Sequence, residues 1–515
     1  MLFLFCGNAV ISLDVLIAFI LDAEQNEGSL LLPSKKRFQA SCKSAAKTNW
    51  AHSRCIRIFG FGFMTSAFET SDQQLVEQPV FKLFLRYSLP TIAAMLVTGI
   101  YVVVDGIFIG HFIGEDGLAA IMVAYPIGSV LYALGNLVGM GASSLVSIKL
   151  GQKLPGAAQK IVGNAFLLCL LMTFLTSVLG LFFADDLLHS LGAKEPILSM
   201  ASTYLRWYFA LGGFAILTMA FSTLLRNDGQ PKLVTGIMIL GGLLNIVLDW
   251  LLIVVIPWEL TGAAIATMLS QAVTAALCLQ HFFRNGTRLK ITLNSMLPSA
   301  AVLRDIFQIG TPGFLMYLYL SVVLTFHNMA FLFLGSTVHV AAYAIVSYVE
   351  AFFYLVFEGI ALGMQPITSF NFGAERIDRV KESRNIALAS TIVIAALGML
   401  LVYVSPELLV AAFSSHNPVL EETAVEGMQL YFWGLPLEGM LLVGAIYFQS
   451  VNQASVANWL TGGKLILIAA VLALFCLLFG ATGVWISLPV TAAALTIYMF
   501  WKLKQQAGQQ IIVAN

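Results

Sequence analysis

Charged residues are scarce in this sequence. They make up only 10% of the 515 residues, whereas apolar residues make up 59% and the mean hydropathy is +0.87. Soluble globular chains carry about 25% charged residues, so this composition excludes a soluble domain and indicates a polytopic membrane protein. The basic residues lie between the apolar segments rather than in one basic patch, which argues against nucleic-acid binding.

Several chemical motifs are also missing. Three of the six cysteines lie in the first 63 residues and three fall singly on apolar segments, so no disulfide or metal spacing appears. No His and Cys spacing suggests a structural metal, and no glycine-rich loop with Lys could cradle ATP phosphates. We therefore expect no enzyme, no cofactor and no obligate protein partner. An ion gradient is the expected energy source for any transport.

The apolar residues fall into long runs that predict an all-α fold. A run of about 20 residues crosses the roughly 30 Å of hydrocarbon in a bilayer. Twelve such runs follow the first 63 residues and predict twelve transmembrane helices. Their expected ranges are 88–112, 118–148, 161–184, 198–222, 233–256, 260–283, 306–333, 340–369, 386–404, 424–449, 460–479 and 482–501.

Basic residues in the expected loops indicate the orientation. Taking alternate loops, sixteen Lys and Arg residues collect on one side, among them Arg226 and Lys464, and only Lys194 lies on the other. Because basic residues are retained on the cytoplasmic side, both ends of the twelve-helix unit should be cytoplasmic. The expected location is the inner (plasma) membrane of a bacterium.

Residues 1–63 need a separate interpretation. An apolar stretch over 1–21 precedes a segment rich in Lys and Arg, which is the reverse of the order in a signal peptide. One alternative is a thirteenth helix with the basic segment inside the cell. The favoured alternative is an N-terminal extension that is not part of the working protein, with translation beginning near Met64.

The remaining chain contains an internal repeat. A shift of 222 aligns Pro90 with Pro312, and it superposes a G-x5-S-x3-G pattern at 141–151 on the same pattern at 363–373. A second register, a shift of 226, pairs Phe221 with Tyr447, Thr235 with Thr461 and Gly236 with Gly462. Hydrophobic composition alone explains Leu and Ala matches, but it explains the Pro and Gly register poorly.

The repeat predicts two pseudo-symmetric six-helix bundles. We expect an N-lobe over 64–290 and a C-lobe over 291–515, both in the same orientation in the membrane. Parallel repeats of this kind are related by a pseudo-two-fold axis along the membrane normal, and transporters built in this way bind cargo between the halves.

A small group of polar residues interrupts the apolar runs of the N-lobe. Asp105 lies in the first predicted helix, Asn245 and Asp249 lie one turn apart in the fifth, and Thr267 lies in the sixth. At 1.5 Å per residue, Asp105, Asp249 and Thr267 are expected about 10 Å below the outer surface. Ionisable groups at membrane depth are costly and are functional-site candidates. These oxygens suit a monovalent cation such as Na⁺, and equally a proton shared by the two acids.

The same residues carry a resemblance to a known family. The string VVDGIFIGHFIGEDGLAAI at 103–121, the string NIVLDWLLI at 245–253 and GAAIAT at 262–267 resemble the multidrug and toxic compound extrusion (MATE) family, over roughly 82–503. The resemblance implies twelve helices, and it implies that Asp105, Asn245, Asp249 and Thr267 take part in cation coupling. It further implies export of organic cations or drugs in exchange for H⁺ or Na⁺. The alternative for each residue is a purely structural role, as a hydrogen-bond partner that holds two helices together.

The C-lobe has no copy of this group. The 222 shift places His327 opposite Asp105, and the 226 shift places Val471 and Phe475 opposite Asn245 and Asp249. The candidate cargo-binding residues of the C-lobe are Glu350 and Glu358 on the eighth predicted helix, Glu438 on the tenth, and His327. Asp105 of the N-lobe is a further candidate. The first two acids are as readily explained by a structural hydrogen-bond network, Glu438 by a helix break beside Pro436, and His327 by interior packing.

The sequence therefore predicts a secondary antiporter for small cationic or amphipathic molecules. A flippase for a lipid or lipid-linked oligosaccharide shares this architecture and is the main alternative. A pyrophosphate headgroup would call for several intramembrane basic residues, and the sequence suggests only Arg206, at the rim. A passive channel or a membrane scaffold is a further alternative, but neither needs a pair of acids at membrane depth.

Overall fold

The structure is a computed structural model that describes residues 72–190, 192–410 and 418–514, without the side chains of residue 320 and residues 507–514. The predictions made for residues 1–63 lie outside the described residues. Every described residue belongs to one compact unit. That unit consists of helices and the turns between them, and no β-strand occurs among the described residues.

Fifteen α-helices follow one another along the described chain. They are α1 (Asp72–Glu77), α2 (Val80–Phe112), α3 (Glu115–Gly151), α4 (Pro155–Ser190), α5 (Ile197–Ala210), α6 (Gly213–Asn227), α7 (Pro231–Asp249), α8 (Glu259–Phe283), α9 (Ala300–Phe333), α10 (Thr337–Gly373), α11 (Ile377–Val404), α12 (Pro406–Val410), α13 (Pro418–Tyr431), α14 (Leu435–Ser450) and α15 (Ala454–Ala514). A π-helix, Trp250–Val255, continues α7, and a 3₁₀ turn, Phe432–Gly434, joins α13 to α14.

These helices give the twelve predicted membrane spans. Ten helical segments of the described chain are long and apolar enough to cross a bilayer, and the bent pair α5 and α6 makes an eleventh with a 52° bend. The twelfth arises because α15 is two helices, broken at Gly480, whose φ of 60° is outside the helical range. Each part exceeds the roughly 20 residues that a crossing needs. The fold prediction is confirmed, although the helices extend several residues beyond most predicted ends.

The two halves repeat at the level of backbone hydrogen bonds. After α3, the amides of residues 152, 153 and 154 donate to the carbonyls of 148, 150 and 149, and after α10 those of 374, 375 and 376 donate to 370, 372 and 371. Every member of the second set is 222 residues from its counterpart. Lys153 and Glu375, the central residues, share a φ of 59°. The predicted shift of 222 is therefore a real structural register.

The second predicted register differs at its turn. After α6, the amides of residues 228, 229 and 230 donate to the carbonyls of 224, 226 and 225, and after α14 those of 451, 452 and 453 donate to 447, 449 and 448. The spacing here is 223, so Leu224 rather than Phe221 is the counterpart of Tyr447. Turn geometry fixes a register more firmly than similar side chains do, because it constrains the backbone itself. At this spacing Asn245 and Asp249 correspond to Ile468 and Leu472, which are also apolar.

Glycines of the repeated pattern lie where the two bundles meet. The first bundle comprises α2–α8 and the second α9–α15, and α3 packs along α9 while α2 packs along α10. A methyl group on Gly151 would overlap the carbonyl oxygen of Phe370, and one on Gly373 would overlap that of Ile148. The bundles are thus in backbone contact at this end, which we call the closed end.

Candidate functional site

The predicted polar group of the first bundle is brought together by α2, α7 and α8. Helix α7 packs against both α2, which carries Asp105, and α8, which carries Thr267. Asn245, Asp249 and Thr267 are 1%, 0% and 8% exposed. The Asn245 amide Nδ2 donates to Thr267 Oγ1 at 3.5 Å. Asp105 lies close enough to Asp249 for their charges to interact. We call these four residues the cage.

Most oxygen atoms of the cage lack a hydrogen-bond partner. Asp105 Oδ1, Asn245 Oδ1 and both carboxylate oxygens of Asp249 are buried and accept no hydrogen bond in the described structure. Within the described residues, neither carboxylate has a Lys, Arg or His within ion-pair distance. A buried acceptor without a partner is costly, and a buried charge is costlier still. The arrangement lacks a positive charge, which a cation or a proton would supply.

The fit to Na⁺ rests on neutral oxygens as well as acids. The part of the chain that the structure describes holds no cluster of three or more His, Cys, Asp or Glu side chains in a metal-binding arrangement. The cage instead offers two carboxylates, one amide oxygen and one hydroxyl. Oxygen ligands of this mixed kind suit hard cations, and the same two acids can share a proton.

A change of helix type positions Asp249. Helix α7 ends at this residue and the π-helix Trp250–Val255 begins directly after it. Such π segments are often found at functional sites. The π segment also approaches α8 closely, since a methyl group on Gly262 would lie 2.7 Å from the carbonyl oxygen of Leu252. The glycine of the GAAIAT string therefore allows the approach that brings Thr267 to the cage.

Three tyrosines lie near Asp105, and the sequence analysis did not identify them. Tyr101, Tyr132 and Tyr204 all lie within electrostatic range of Asp105. Tyr132 also stacks on Tyr317 of the second bundle, with ring centres 5.9 Å apart. Tyr101 precedes Asp105 by one helical turn, and this i, i+4 spacing was the available signal. Through Tyr132, the surroundings of Asp105 therefore extend to the interface between the bundles.

The candidate cargo-binding residues of the second bundle lie at three different sites. Glu350 accepts a hydrogen bond from the Tyr431 hydroxyl at 2.6 Å, and it lines one cavity together with Glu438. Glu358, two turns along α10, lies near Arg226 of the first bundle instead. His327 is fully buried, with Nδ1 2.9 Å from the carbonyl oxygen of Val323 and Nε2 3.2 Å from Ser487 Oγ. Its two nitrogens are therefore occupied within the bundle.

Three of the basic residues that the sequence assigned to loops, Arg226, Arg379 and Lys464, are buried within helices. Arg226 lies in α6 and is 2% exposed, and Lys464 lies ten residues inside α15 and is 7% exposed. By the observed helix bounds, eleven of the sixteen basic residues lie within helices, so the prediction that they lie in loops is wrong for most of them. Lys464 forms an ion pair with Glu438, whereas Arg226 Nε and Nη1 have no hydrogen-bond partner in the described structure. Arg226 lies next to the turn after α6, and Lys464 lies near the start of a long apolar run, so charge alone could not distinguish loop from helix.

A further cluster of acidic and basic side chains lies outside the membrane-spanning segments, at the closed end. Arg288, in the segment between α8 and α9, contacts the carboxylates of Asp72 and Asp228, with Nε 2.6 Å from Asp228 Oδ1. His281 Nε2 is 2.8 Å from the other oxygen of Asp228. Burial disfavours the charge on Arg288, but the two carboxylates outweigh it and hold the pKa of the guanidinium above its usual range. This cluster ties α1 to the first bundle.

Comparison with known proteins places this architecture in a family. The family model MatE matches residues 90–251 and again residues 312–479, once in each half. The multidrug export protein MepA of Staphylococcus saprophyticus is 27% identical over 442 residues, covering 83% of this chain and 96% of that protein. MepA of Staphylococcus haemolyticus is 28% identical, covering 84% of this chain and 97% of that protein.

Solved structures share the fold. A multidrug resistance MATE family transporter in its outward-facing conformation matches with a TM-score of 0.80 and 23% identity, covering 86% of this chain and 99% of that one. A Pyrococcus furiosus transporter of the MOP superfamily, described as having a binding pocket of reverse polarity, matches with a TM-score of 0.79 and 23% identity, covering 85% and 98%. The two family matches together span more than half of the sequence, and this integral membrane protein belongs to the multidrug and toxic compound extrusion (MATE) family.

Proposed function

We propose that this protein is a secondary antiporter that exports organic cations or other drugs in exchange for H⁺ or Na⁺. The observation that supports the proposal most strongly is the set of buried cage oxygens without hydrogen-bond partners, on Asp105, Asn245 and Asp249. A transporter that must bind and release a cation needs a site that is incomplete without one. The names of the staphylococcal relatives, multidrug export proteins, supply the class of cargo.

Charge couples the movement of the ion to the movement of the cargo. A cation or proton in the cage neutralises Asp105 or Asp249 and so weakens the attraction of the bundle interface for a cationic cargo. When the ion leaves, the negative charge returns and favours cargo binding again. Exchange follows because ion and cargo differ in their affinity for the two facing states.

The orientation of the cycle follows from the basic residues. The closed end carries the repeated turns after α3 and α10, with Lys149, Lys153 and Arg376 close by. Basic residues mark the cytoplasmic side, so this conformation is sealed toward the cytoplasm and corresponds to the state that releases cargo outside. Both ends of the twelve-helix unit are then cytoplasmic, with an N-lobe over 64–290 and a C-lobe over 291–515.

The acids of the second bundle belong to the cargo side of the proposal. Glu350 and Glu438 share a cavity and attract organic cations, and Glu358 adds a third carboxylate farther along α10. Asp105 contributes from the first bundle, beside the tyrosines. For His327 the cargo-binding role stays a prediction, because its ring is enclosed by Val323, Ser487 and the stacked ring of Tyr343.

Transport into inside-out vesicles tests the proposal. Vesicles with an imposed pH or Na⁺ gradient should accumulate a fluorescent cationic dye, and one of the two gradients should drive the uptake. Asp105→Asn and Asp249→Asn should each abolish the gradient dependence. Asp186→Asn, which removes an exposed acid of α4, is the matched control and should transport as the wild type does.

The outcomes also separate the alternatives. Uptake that survives both cage substitutions would place ion coupling elsewhere in the molecule. No dye uptake under either gradient would favour a lipid flippase of similar architecture. The buried basic residues do not by themselves favour that function. Lys464 is already paired with Glu438, and the guanidinium of Arg379 donates to Asn371 and to backbone carbonyls, which leaves Arg226 for a pyrophosphate among the buried basic residues of the described structure.

A further inference from the structure

Lys464 is a charged residue in the interior of the second bundle. It lies ten residues into α15, about 15 Å along the helix axis. Its ammonium group forms an ion pair with Glu438 Oε2 and lies 3.7 Å from the centre of the Tyr319 ring. The side chains of Lys464 and Glu438 are only 9% and 16% exposed. Nothing in the cage of the first bundle corresponds to this arrangement.

Two small cavities meet at Glu438. One is lined by Glu350, Tyr431, Phe432, Leu435 and Leu488, and the other by Met316, Tyr319, Tyr354, Leu441 and Lys464, with Glu438 in both walls. The walls are otherwise mainly apolar and aromatic. Glu438 Oε1 is buried and accepts no hydrogen bond in the described structure. The carboxylate therefore pairs with Lys464 through one oxygen and leaves the other free.

The partners of Lys464 are those that an organic ammonium ion would need. A carboxylate supplies a charge-assisted contact, and an aromatic face supplies a cation–π contact that strengthens as water is excluded. A primary ammonium on a flexible stem already makes both contacts here. The side chain thus resembles a cationic ligand that is attached to the protein.

We propose that Lys464 occupies an organic-ammonium site of the second bundle, and that the ammonium group of a cargo molecule replaces it beside Glu438 and Tyr319. This inference rests on the proposed export of organic cations and identifies where the charged part of the cargo binds. Glu350 and Glu438 together offer two negative charges, enough for Lys464 and one cargo ammonium. In the absence of cargo, Lys464 keeps Glu438 from being an unpaired buried charge, which would be strongly destabilising.

Equilibrium binding of ethidium, a monocationic dye, to the purified full-length protein tests this inference. Lys464→Met keeps the length of the side chain and removes its charge, so ethidium should bind about tenfold more tightly than to the wild type. Glu438→Gln should weaken binding, because the dye loses its carboxylate and meets an unpaired lysine. Nile red, an uncharged dye, should bind the wild type and both variants alike.

Lys502→Met is the matched control. Lys502 also lies over an aromatic ring, that of Trp501 at 4.6 Å, but it is outside the two cavities. Its removal should leave ethidium affinity unchanged. Folding of every variant is checked by a monodisperse gel-filtration profile and a thermal unfolding midpoint.

A second comparison covers the case in which Lys464→Met does not fold. The double variant K464M/E438Q has no unpaired charge, and ethidium should bind it more tightly than it binds E438Q alone. Equal affinity of folded K464M and wild type, or of the double variant and E438Q, would overturn the inference. Because no gradient is applied, the result does not depend on ion coupling, which the vesicle experiment with the cage variants decides separately.

Discussion

Each bundle holds a pair of acids that are buried or half-buried, but the two pairs differ in their counter-charges. In the first bundle, Asp105 and Asp249 have no basic partner within ion-pair distance among the described residues, and most of their oxygens accept no hydrogen bond. In the second, Glu438 is paired with Lys464 and Glu350 accepts a hydrogen bond from Tyr431. The first pair has no basic partner among the described residues, whereas one acid of the second pair has a lysine of its own.

This contrast shows how a duplicated fold can divide its tasks. The backbone repeats closely, as the hydrogen bonds after α3 and α10 demonstrate. The buried charges do not repeat. A scaffold of two similar bundles can therefore hold an ion site in one and a different polar site in the other, because a few side chains decide the charge while the packing stays the same.

The largest effect is expected from giving the first bundle a cation of its own. Asn245→Lys places an ammonium one turn from Asp249, where it can pair with the carboxylate as Lys464 pairs with Glu438. Ion coupling should then be lost, and gradient-driven dye uptake should fall to that of vesicles without the protein. Asn245→Met, of similar length without the charge, should retain at least part of the uptake. Equal activity of the two variants would contradict the contrast.

The second effect concerns stability, and it should be a large loss in the second bundle and no loss in the first. Glu438→Gln leaves Lys464 buried without its partner and should lower the free energy of unfolding by about 3–5 kcal/mol. Asp249→Asn removes a buried carboxylate that has no partner, so it should be neutral or stabilising. Thermal unfolding of the purified variants in the absence of Na⁺ measures both. Similar losses in both variants would show that the two acids have equivalent surroundings.

A third prediction concerns the closed end, where the halves are alike. Gly151→Ala and Gly373→Ala each place a methyl group against a carbonyl oxygen of the opposite bundle. Each should destabilise the closed end by about 1–3 kcal/mol, and the two effects should be equal because the contacts are related by the repeat. Protease or thiol accessibility of the turns after α3 and α10 reports the change, with Gly156→Ala, which has open space around it, as control.

The smallest effects should come from single hydrogen bonds. Tyr431→Phe removes the donor to Glu350 and should cost about 1 kcal/mol of stability, since the acceptor is a half-buried carboxylate that water can still reach. Thr267→Val removes the long contact with Asn245 and should change stability by less than about 1 kcal/mol. The valine variant should nevertheless reduce coupling, because the hydroxyl is a proposed ion ligand. Stability and dye uptake measured on the same samples separate these two consequences.

Much of the fold was predictable from local features of the sequence. Apolar run length predicts the spans, because the hydrocarbon thickness sets a minimum length for a crossing helix. The Pro and Gly register at 90–151 and 312–373 predicts the repeat, because these residues mark backbone geometry. The second register could not be predicted as well, because Phe221 and Tyr447 match only in side-chain type, whereas the hydrogen bonds of the turn set the spacing at 223.

The candidate site was predictable in part. Asp105, Asn245 and Asp249 stand out because polar residues are rare within long apolar runs, and α2, α7 and α8 do bring them together with Thr267. The interior position of Lys464 could not be predicted. A basic residue near the start of an apolar run has the same sequence neighbours as a loop residue that precedes a membrane helix. The π-helix after Asp249 was also hidden, since the string WLLIVV is compatible with an ordinary α-helix.

The sequence by itself determined the membrane class, the twelve spans, the repeat and the position of the acids along the helices, because these depend on composition and periodicity over short distances. Only the tertiary structure decided which acids have a counter-charge. Whether Glu438 is neutralised and Asp249 is not depends on which side chains of other helices reach them. That pairing is set by packing between residues far apart in the chain, and no local pattern encodes it.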